Sequence, residues 1–216
     1  MEFLKLMQSR YTAKHYDPSR TVSREDLDSI LECARLAPSS VNLQPWHFYV
    51  AYGPEAIKRV MPALMDFNQE RVGNASAVIA ICANTKIVEE KFARVLEKEQ
   101  NDGRFQTPED ANAMENGRRR FVGMHSVSDK ELLSWTTRQS YIALATIMYA
   151  AASLGIDSTP LEGYYPEAAD DLLSIKSKNL HCVCMLSLGY RAADDTNTID
   201  KRPKSRMNTE DVITYI

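Results

Sequence analysis

Apolar residues along this chain switch repeatedly between two periods. Ala77-Val78-Ile79-Ala80-Ile81-Cys82-Ala83 is an unbroken apolar run, the pattern of a strand covered on both faces. Cys182-Val183-Cys184-Met185-Leu186-Ser187-Leu188 reads as a last buried strand, and Trp46 to Tyr52 as a third. Elsewhere the period is helical. Leu27, Ile30, Leu31 and Ala34 form one stripe behind Ser23, which can cap a helix together with Asp26. Phe3, Leu4, Leu6 and Met7 predict a short first helix, Pro54 to Met65 another, and Lys86 to Gln100 a charged one broken by Asn101-Asp102-Gly103. Thr107-Pro108 starts a helix through Phe121, and Ser128 with Glu131 caps the longest, which runs to Leu154 with Gly155 placed to end it. Thr159 to Pro166 reads as a loop, with Pro166 starting one more helix. Helix and strand alternate, so the class is mixed α and β.

Two segments need somewhere to go. The second half of the longest helix is apolar on most sides, which requires burial at the centre of the domain, at a subunit interface, or at both. Its most apolar window, Tyr141 to Leu154, is too short to span a bilayer. Beyond Arg191 the chain turns polar and ends with Val212, Ile213 and Ile216. This arm, about 191–216, is either disordered or lies along another surface with those last apolar residues pinned. The expectation is a single domain, 1–216, with a helical excursion at about 86–127.

Pro38-Ser39-Ser40-Val41-Asn42-Leu43-Gln44-Pro45-Trp46 joins a helical pattern to a strand pattern. Two prolines make it irregular but stiff, and its hydroxyls and carboxamides suit a ligand. An ordinary connector has the same composition, so local chemistry leaves both readings open.

Composition narrows the field. A net charge of -3 gives no global basic field, which argues against a dedicated nucleic-acid binder. Cys33, Cys82, Cys182 and Cys184 show no metal-type spacing with the four histidines and read as buried reduced thiols. Met1-Glu2-Phe3-Leu4-Lys5 has no secretory character, so a cytoplasmic location is expected, with no membrane partner. None of the eight glycines falls in G-x-G, excluding the dinucleotide fingerprint and the P-loop. No G-x-S-x-G or H-E-x-x-H occurs.

The positive signal is a pair of basic clusters far apart in sequence: Arg10 with Lys14 beside Thr12, and Lys204 with Arg206 beside Ser205. Arg and Lys with hydroxyl donors satisfy phosphate oxygens through charge-assisted hydrogen bonds. Surface solubility is the competing reading.

Four ordered motifs now carry a resemblance: Ser9-Arg10-Tyr11-Thr12-Ala13-Lys14, then Pro38 to Phe48, then Pro160-Leu161-Glu162-Gly163, then Pro203-Lys204-Ser205-Arg206. Together they resemble the nitroreductase family over nearly the whole chain. The resemblance is closest to the oxygen-insensitive NAD(P)H nitroreductases, also called dihydropteridine reductases, with Asp102 to Phe105, Gly117-Arg118 and Met124-His125 adding to it.

The resemblance implies an α+β fold with a mainly antiparallel central sheet surrounded by helices, an intertwined homodimer, and FMN at the subunit interface. Arg10, Lys204 and Arg206 would hold the phosphate, with Tyr11 and Thr12 beside it. Lys14 and Arg71 would lie at the pyrimidine edge, where cations stabilise the charge of reduced flavin, and Asn68 would bond that ring. Glu162 and Gly163 would offer backbone N–H groups toward N5 and O4, with Pro160 beside them among the cofactor-binding residues, while Pro38, Ser39, Ser40 and Asn42 would come from the partner subunit. Phe121 would cover the flavin and touch the substrate, making Lys14, Glu162 and Phe121 the candidate catalytic residues.

The implied activity is ping-pong, two-electron reduction of nitroaromatics, quinones or dihydropteridines with NADH or NADPH as reductant. An enone or quinone reductase, a flavin-consuming or dehalogenating enzyme, and a non-catalytic flavin-binding module stay open as alternatives. Tyr11, Thr12 and Arg71 depart from the common pattern conservatively. Val41 and Leu43 replace hydroxyl residues, which bears on substrate range.

Overall fold

The computed structural model describes residues 2–216. Four strands form one antiparallel sheet: β1 (Trp46–Tyr52), β2 (Ala77–Asn84), β3 (Asp157–Leu161) and β4 (Leu180–Gly189), in the order β1-β2-β4-β3. The apolar run of β2 is explained by helices on both faces. Val78, Ala80 and Cys82 enter one core with α3 (Pro54–Val60) and α8 (Pro166–Leu173). Ala77, Ile79 and Ile81 enter the other with α2 (Arg24–Arg35) and α7 (Asp129–Ser153). Each fully buried isoleucine contributes roughly 1.5–3 kcal/mol.

A bulge sets the faces of β4. Ile81 pairs with Cys184 but Cys82 pairs with Cys182, so Val183 is extra. Consequently Cys182 and Met185 share one core while Cys184, Leu186 and Leu188 share the other.

The caps form as the sequence predicts. Ser23 accepts from the Asp26 N–H at 3.0 Å and Ser128 from the Glu131 N–H at 3.2 Å. Gly155, at φ +70°, closes α7: its N–H bonds Ala152 O, and that of Ile156 bonds Ala151 O.

Several expectations are corrected. The stretch from Thr159 is not all loop, because β3 runs through Pro160. β3 is an edge strand, where a missing N–H is tolerated. The helix from Pro54 stops at Val60 in a 3-10 turn containing Pro62, and a further helix, α4 (Asp66–Val72), follows. Cys33 is exposed, whereas Cys82, Cys182 and Cys184 are buried; all four are free thiols. α7 is buried along one side only; Ile142 on it and Leu154 just past its end are exposed.

The excursion consists of α5 (Glu89–Asn101) and α6 (Pro108–Met124), which pack with α7 around Leu43, Phe92, Val122, Leu132 and Trp135. α1 (Glu2–Ser9) buries no residue but sets Phe3 edge-on to Tyr149 of α7 at 5.4 Å. The C-terminal arm, with the short α9 (Thr209–Val212), lies on its own chain at first. Lys204 Nζ donates to Met7 O and Arg10 O, but Tyr215 and Ile216 are fully exposed. No described helix is long and apolar enough to cross a membrane.

Candidate active site

The segment Arg10 to Tyr16 runs beside β3 and is fixed there by four kinds of contact. Thr12 forms a parallel bridge with Ser158, and Thr159 Oγ1 donates to Ala13 O at 2.6 Å. The buried Tyr16 hydroxyl lies 3.1 Å from Thr159 Oγ1 and 2.9 Å from Ser187 Oγ, its ring filling the space a side chain at Gly189 would need. Arg191, paired with Asp157 at 2.9 Å, donates to Tyr11 O at 3.1 Å. Asp195 accepts from the backbone N–H groups of Lys14, His15 and Asn197 at 2.7, 3.2 and 2.7 Å. Burial pushes the Asp195 carboxyl up, but these donors prevail and hold its pKa low.

Two clusters nearly two hundred residues apart meet here. Lys204 Nζ donates to Arg10 O at 2.7 Å and sits 5.0 Å over the Tyr11 ring. Burial, then Arg206 and Arg191, lower the Arg10 pKa, with Tyr149 and Asp157 opposing. Burial, then Arg10 and Arg206, lower that of Lys204. Arg10 Nη1 and the Tyr11 hydroxyl are enclosed with no hydrogen-bond partner. Mutually repelling cations around unpaired donors are what a bound anion resolves, so these residues fit a phosphate group.

A second cationic edge adjoins it. Burial and then Arg71 lower the Lys14 pKa, partly offset by Asp195. Arg71 Nη1 donates to Asn68 Oδ1 at 3.0 Å, and the buried Asn68 donates to Gly163 O at 2.9 Å. A Cβ on Gly163 would fall 2.5 Å from Phe67 Cζ and 2.6 Å from Asn68 Nδ2, so no larger residue fits. The N–H groups of Glu162 and Gly163 have no acceptor among the described residues. Lys14, Arg71, Asn68, Pro160, Glu162 and Gly163 therefore assemble with Arg10, Thr12, Lys204 and Arg206 on one side of the chain.

The loop of Pro38, Ser39, Ser40 and Asn42 does not join them. Val41, Asn42 and Gln44 have φ of +48°, +52° and +50°; for a β-branched valine this costs on the order of 1–3 kcal/mol. The loop is held by Ser39 Oγ, which accepts from the Gln44 N–H at 2.8 Å, and by Gln139 Oε1, which accepts from the Ser40 N–H at 2.8 Å. Val41 and Phe121 line a cavity of about 740 Å³ with Phe105, Met114, Gly117 and Arg118. Phe121 also packs against His125 and Trp135, at 5.1 and 6.2 Å.

α7 separates the two groups. Gln139 bonds the loop, whereas the Tyr141 hydroxyl bonds Glu162. Two residues apart on a helix point about 200° apart. The loop and the basic cluster thus face different ways across α7.

Comparison with known proteins shows the family. The nitroreductase family model matches residues 7–190. The chain belongs to the nitroreductase family. It is 34% identical to an oxygen-insensitive NAD(P)H nitroreductase of Salmonella typhimurium, covering 100% of each chain. It is 35% identical to the major NAD(P)H-flavin oxidoreductase of Aliivibrio fischeri, over 97% of this chain and 96% of the relative. Among solved structures, a protein from Exiguobacterium sibiricum crystallised in complex with FMN superposes with a TM-score of 0.82 at 27% identity, over 100% and 98% of the two chains. The fold is that of the family.

Sequence reasoning passed over Tyr141, Gln139, Asp195 and Arg191. Tyr141 opens the run of α7 read only for burial and Gln139 precedes it, while Asp195 and Arg191 lie in a stretch read only as a polar tail. Gln139 sits in the polar run Thr136 to Ser140 and carried no distinguishing signal, whereas Tyr141, a polar tip heading an apolar run, did.

Proposed function

We propose that this nitroreductase-family protein is an FMN-dependent NAD(P)H oxidoreductase, acting as a homodimer whose sites combine the half-sites of two chains. The observation that carries the reading is the junction of Arg10, Lys204 and Arg206 around an unpaired guanidinium nitrogen, in line with the Lys14–Arg71 edge and the free N–H groups of Glu162 and Gly163. Bound FMN would supply two-electron chemistry at N5, taking hydride from NADH or NADPH and, after exchange of the oxidised nicotinamide for an acceptor, passing it on.

The chain's own residues do the rest. Arg10, Lys204 and Arg206 bind the phosphate, while Tyr11 and Thr12 shape the turn beneath it. Lys14 and Arg71 place positive charge where reduction adds negative charge, so the reduced state is favoured. Glu162 and Gly163 orient the reacting edge through backbone donors. Ser39, Ser40 and Asn42, supplied by the second chain, close the site, with Phe121 as its wall. The exposed apolar end of the arm, Ile213 to Ile216, would then be covered by the other chain.

Val41, Phe105, Met114 and Phe121 give the wall an apolar part suited to flat nitroaromatics and quinones, while Arg104, Gln106 and Asp110 line the same cavity with polar groups. With all four cysteines reduced and NAD(P)H as reductant, the proposed location is the cytoplasm.

The test is the visible spectrum of the purified protein under argon, before and after NADH or NADPH, followed by menadione or nitrofurazone. A yellow protein that bleaches with the reductant and recovers with the acceptor is expected. A yellow protein that neither reductant bleaches would be a flavin-binding module instead.

A further inference from the structure

Arg118 is the largest fully buried side chain of the protein, with no exposed surface, and it lies beneath the loop at Val41. Its Nη2 meets Glu99 of α5 at 2.5 Å and its Nη1 meets Glu115 at 2.6 Å. Each carboxylate is shared with a second arginine nearer the surface. Glu115 is bonded by Arg119 at 2.7 Å, and Glu99 lies 3.6 Å from Arg104. An ion pair between α5 and α6 would be complete with these contacts alone.

Two further bonds leave the ion pair and enter the loop. Arg118 Nε donates to Val41 O at 3.0 Å, and Glu99 Oε1 accepts from Asn42 Nδ2 at 2.7 Å. Val41 and Asn42 are two of the three loop residues with left-handed backbone, and valine adopts that conformation only when its surroundings impose it. The rigid guanidinium fork reaches three acceptors at fixed angles, which a lysine ammonium on a flexible stem cannot reproduce. Phe121 lies one turn along the same helix, and both side chains line the cavity with Val41.

We infer that Arg118 is a positioning residue: it holds Val41 and Asn42 in left-handed backbone, so that Ser39 and Ser40 are presented in fixed register with the wall formed by Phe121. The consequence for FMN rests on the loop's proposed place in the flavin site; the consequence for the loop itself does not.

The experiment measures amide hydrogen exchange of the loop and FMN affinity, by flavin fluorescence quenching, in the full-length protein. In Arg118→Met, the Asn42, Leu43 and Gln44 amides, which bond Ser39 O, Ser40 O and Ser39 Oγ, should exchange at least about tenfold faster. β2 and β4 should stay protected, and FMN affinity should fall by a similar factor. Adding Val41→Gly should restore part of both losses, because glycine takes φ +48° unaided. If Arg118→Met does not fold, Arg118→Lys carries the test: it keeps the charge, loses the Val41 bond, and should show the same local acceleration. Unchanged loop exchange in the folded variant overturns the inference. So does acceleration spread over β2 and β4 that Val41→Gly does not relieve, which would make Arg118 a stabiliser of the whole fold. Wild-type protein that binds no FMN would overturn the flavin reading, while the exchange data would still decide the role of Arg118.

Discussion

The Tyr141 hydroxyl donates to Glu162 Oε1 at 2.6 Å, linking the middle of α7 to the end of β3. Burial and then the Glu162 carboxylate push the Tyr141 pKa well above that of a free phenol, so the donor persists through neutral and moderately alkaline pH. It thereby steadies the backbone that carries the free N–H groups of Glu162 and Gly163. Tyr141→Phe should lower kcat/KM for the acceptor by roughly fivefold, about 1 kcal/mol for a partly exposed hydrogen bond. The deficit should stay constant between pH 7 and 9. Steady-state kinetics with menadione across that range would check this, and a deficit that vanished by pH 9 would contradict it.

Gly163 has no room for a side chain. Gly163→Ala would press a methyl against Phe67 and Asn68, displacing the amide that bonds Gly163 O. Overpacking of this kind costs about 1–3 kcal/mol. The purified variant should melt several degrees lower and carry less flavin absorbance per chain; full flavin content with unaltered melting would count against the placement.

In the proposed site Lys204 and Arg10 face the phosphate rather than the ring system, and Lys204 also ties the arm to Met7 O and Arg10 O. Lys204→Ala should therefore weaken FMN binding about ten- to a hundredfold, the scale of a charge-assisted hydrogen bond. Riboflavin, which lacks the phosphate, should bind wild type and variant alike. Parallel titrations of the two flavins separate this from a general loss of fold.

Much of this fold is legible in sequence because local chemistry and tertiary role coincide. The β2 run, the caps at Ser23 and Ser128 and the Gly155 stop need no distant partner to be recognised. β3 escaped because Pro160 argues against a strand unless the strand is known to be an edge. The burial of Arg118, a residue noted only as part of the resemblance, escaped for a different reason. Glu99, Glu115, Arg118 and Arg119 have the mixed charge of a solvated helix face, and only packing α5 against α6 under the loop buries them. The arm was legible in its basic cluster but not in its path, since composition alone does not say which surface receives a polar tail.

Tyr16 makes alkaline stability a test of how the Arg10–Tyr16 segment is anchored. Burial raises its pKa to about 12, opposed by its hydrogen bonds with Ser187 and Thr159. In the unfolded chain it titrates near 10. The fold favours the neutral phenol, so this stabilisation is complete below about pH 10 and is lost as pH rises from 10 towards 12. Two pKa units correspond to roughly 2–3 kcal/mol. Tyr16→Phe should be less stable than wild type at pH 8, by the lost hydrogen bonds, but the gap should narrow steadily by pH 11. Urea unfolding of both proteins at pH 8, 10 and 11 measures the gap directly, and a constant gap would show that the phenol is not neutral because of its burial.

Because Gln139 and Tyr141 face opposite ways on α7, the loop and the phosphate cluster of one chain should belong to different sites. That arrangement predicts complementation between two defective chains. One carries Arg10→Ala with Lys204→Ala, the other Ser39→Ala with Ser40→Ala. Each alone should form homodimers with two impaired sites and weak FMN binding. Co-expressed with different tags and purified for both, the hybrid dimer should contain one site with neither defect and one with both. It should bind about one FMN per dimer with wild-type affinity and show about half the wild-type turnover. If each site were built within a single chain, every site in the hybrid would keep one defect and no tight site would appear. A hybrid that binds no better than its parents would therefore return the loop to the role of an ordinary connector.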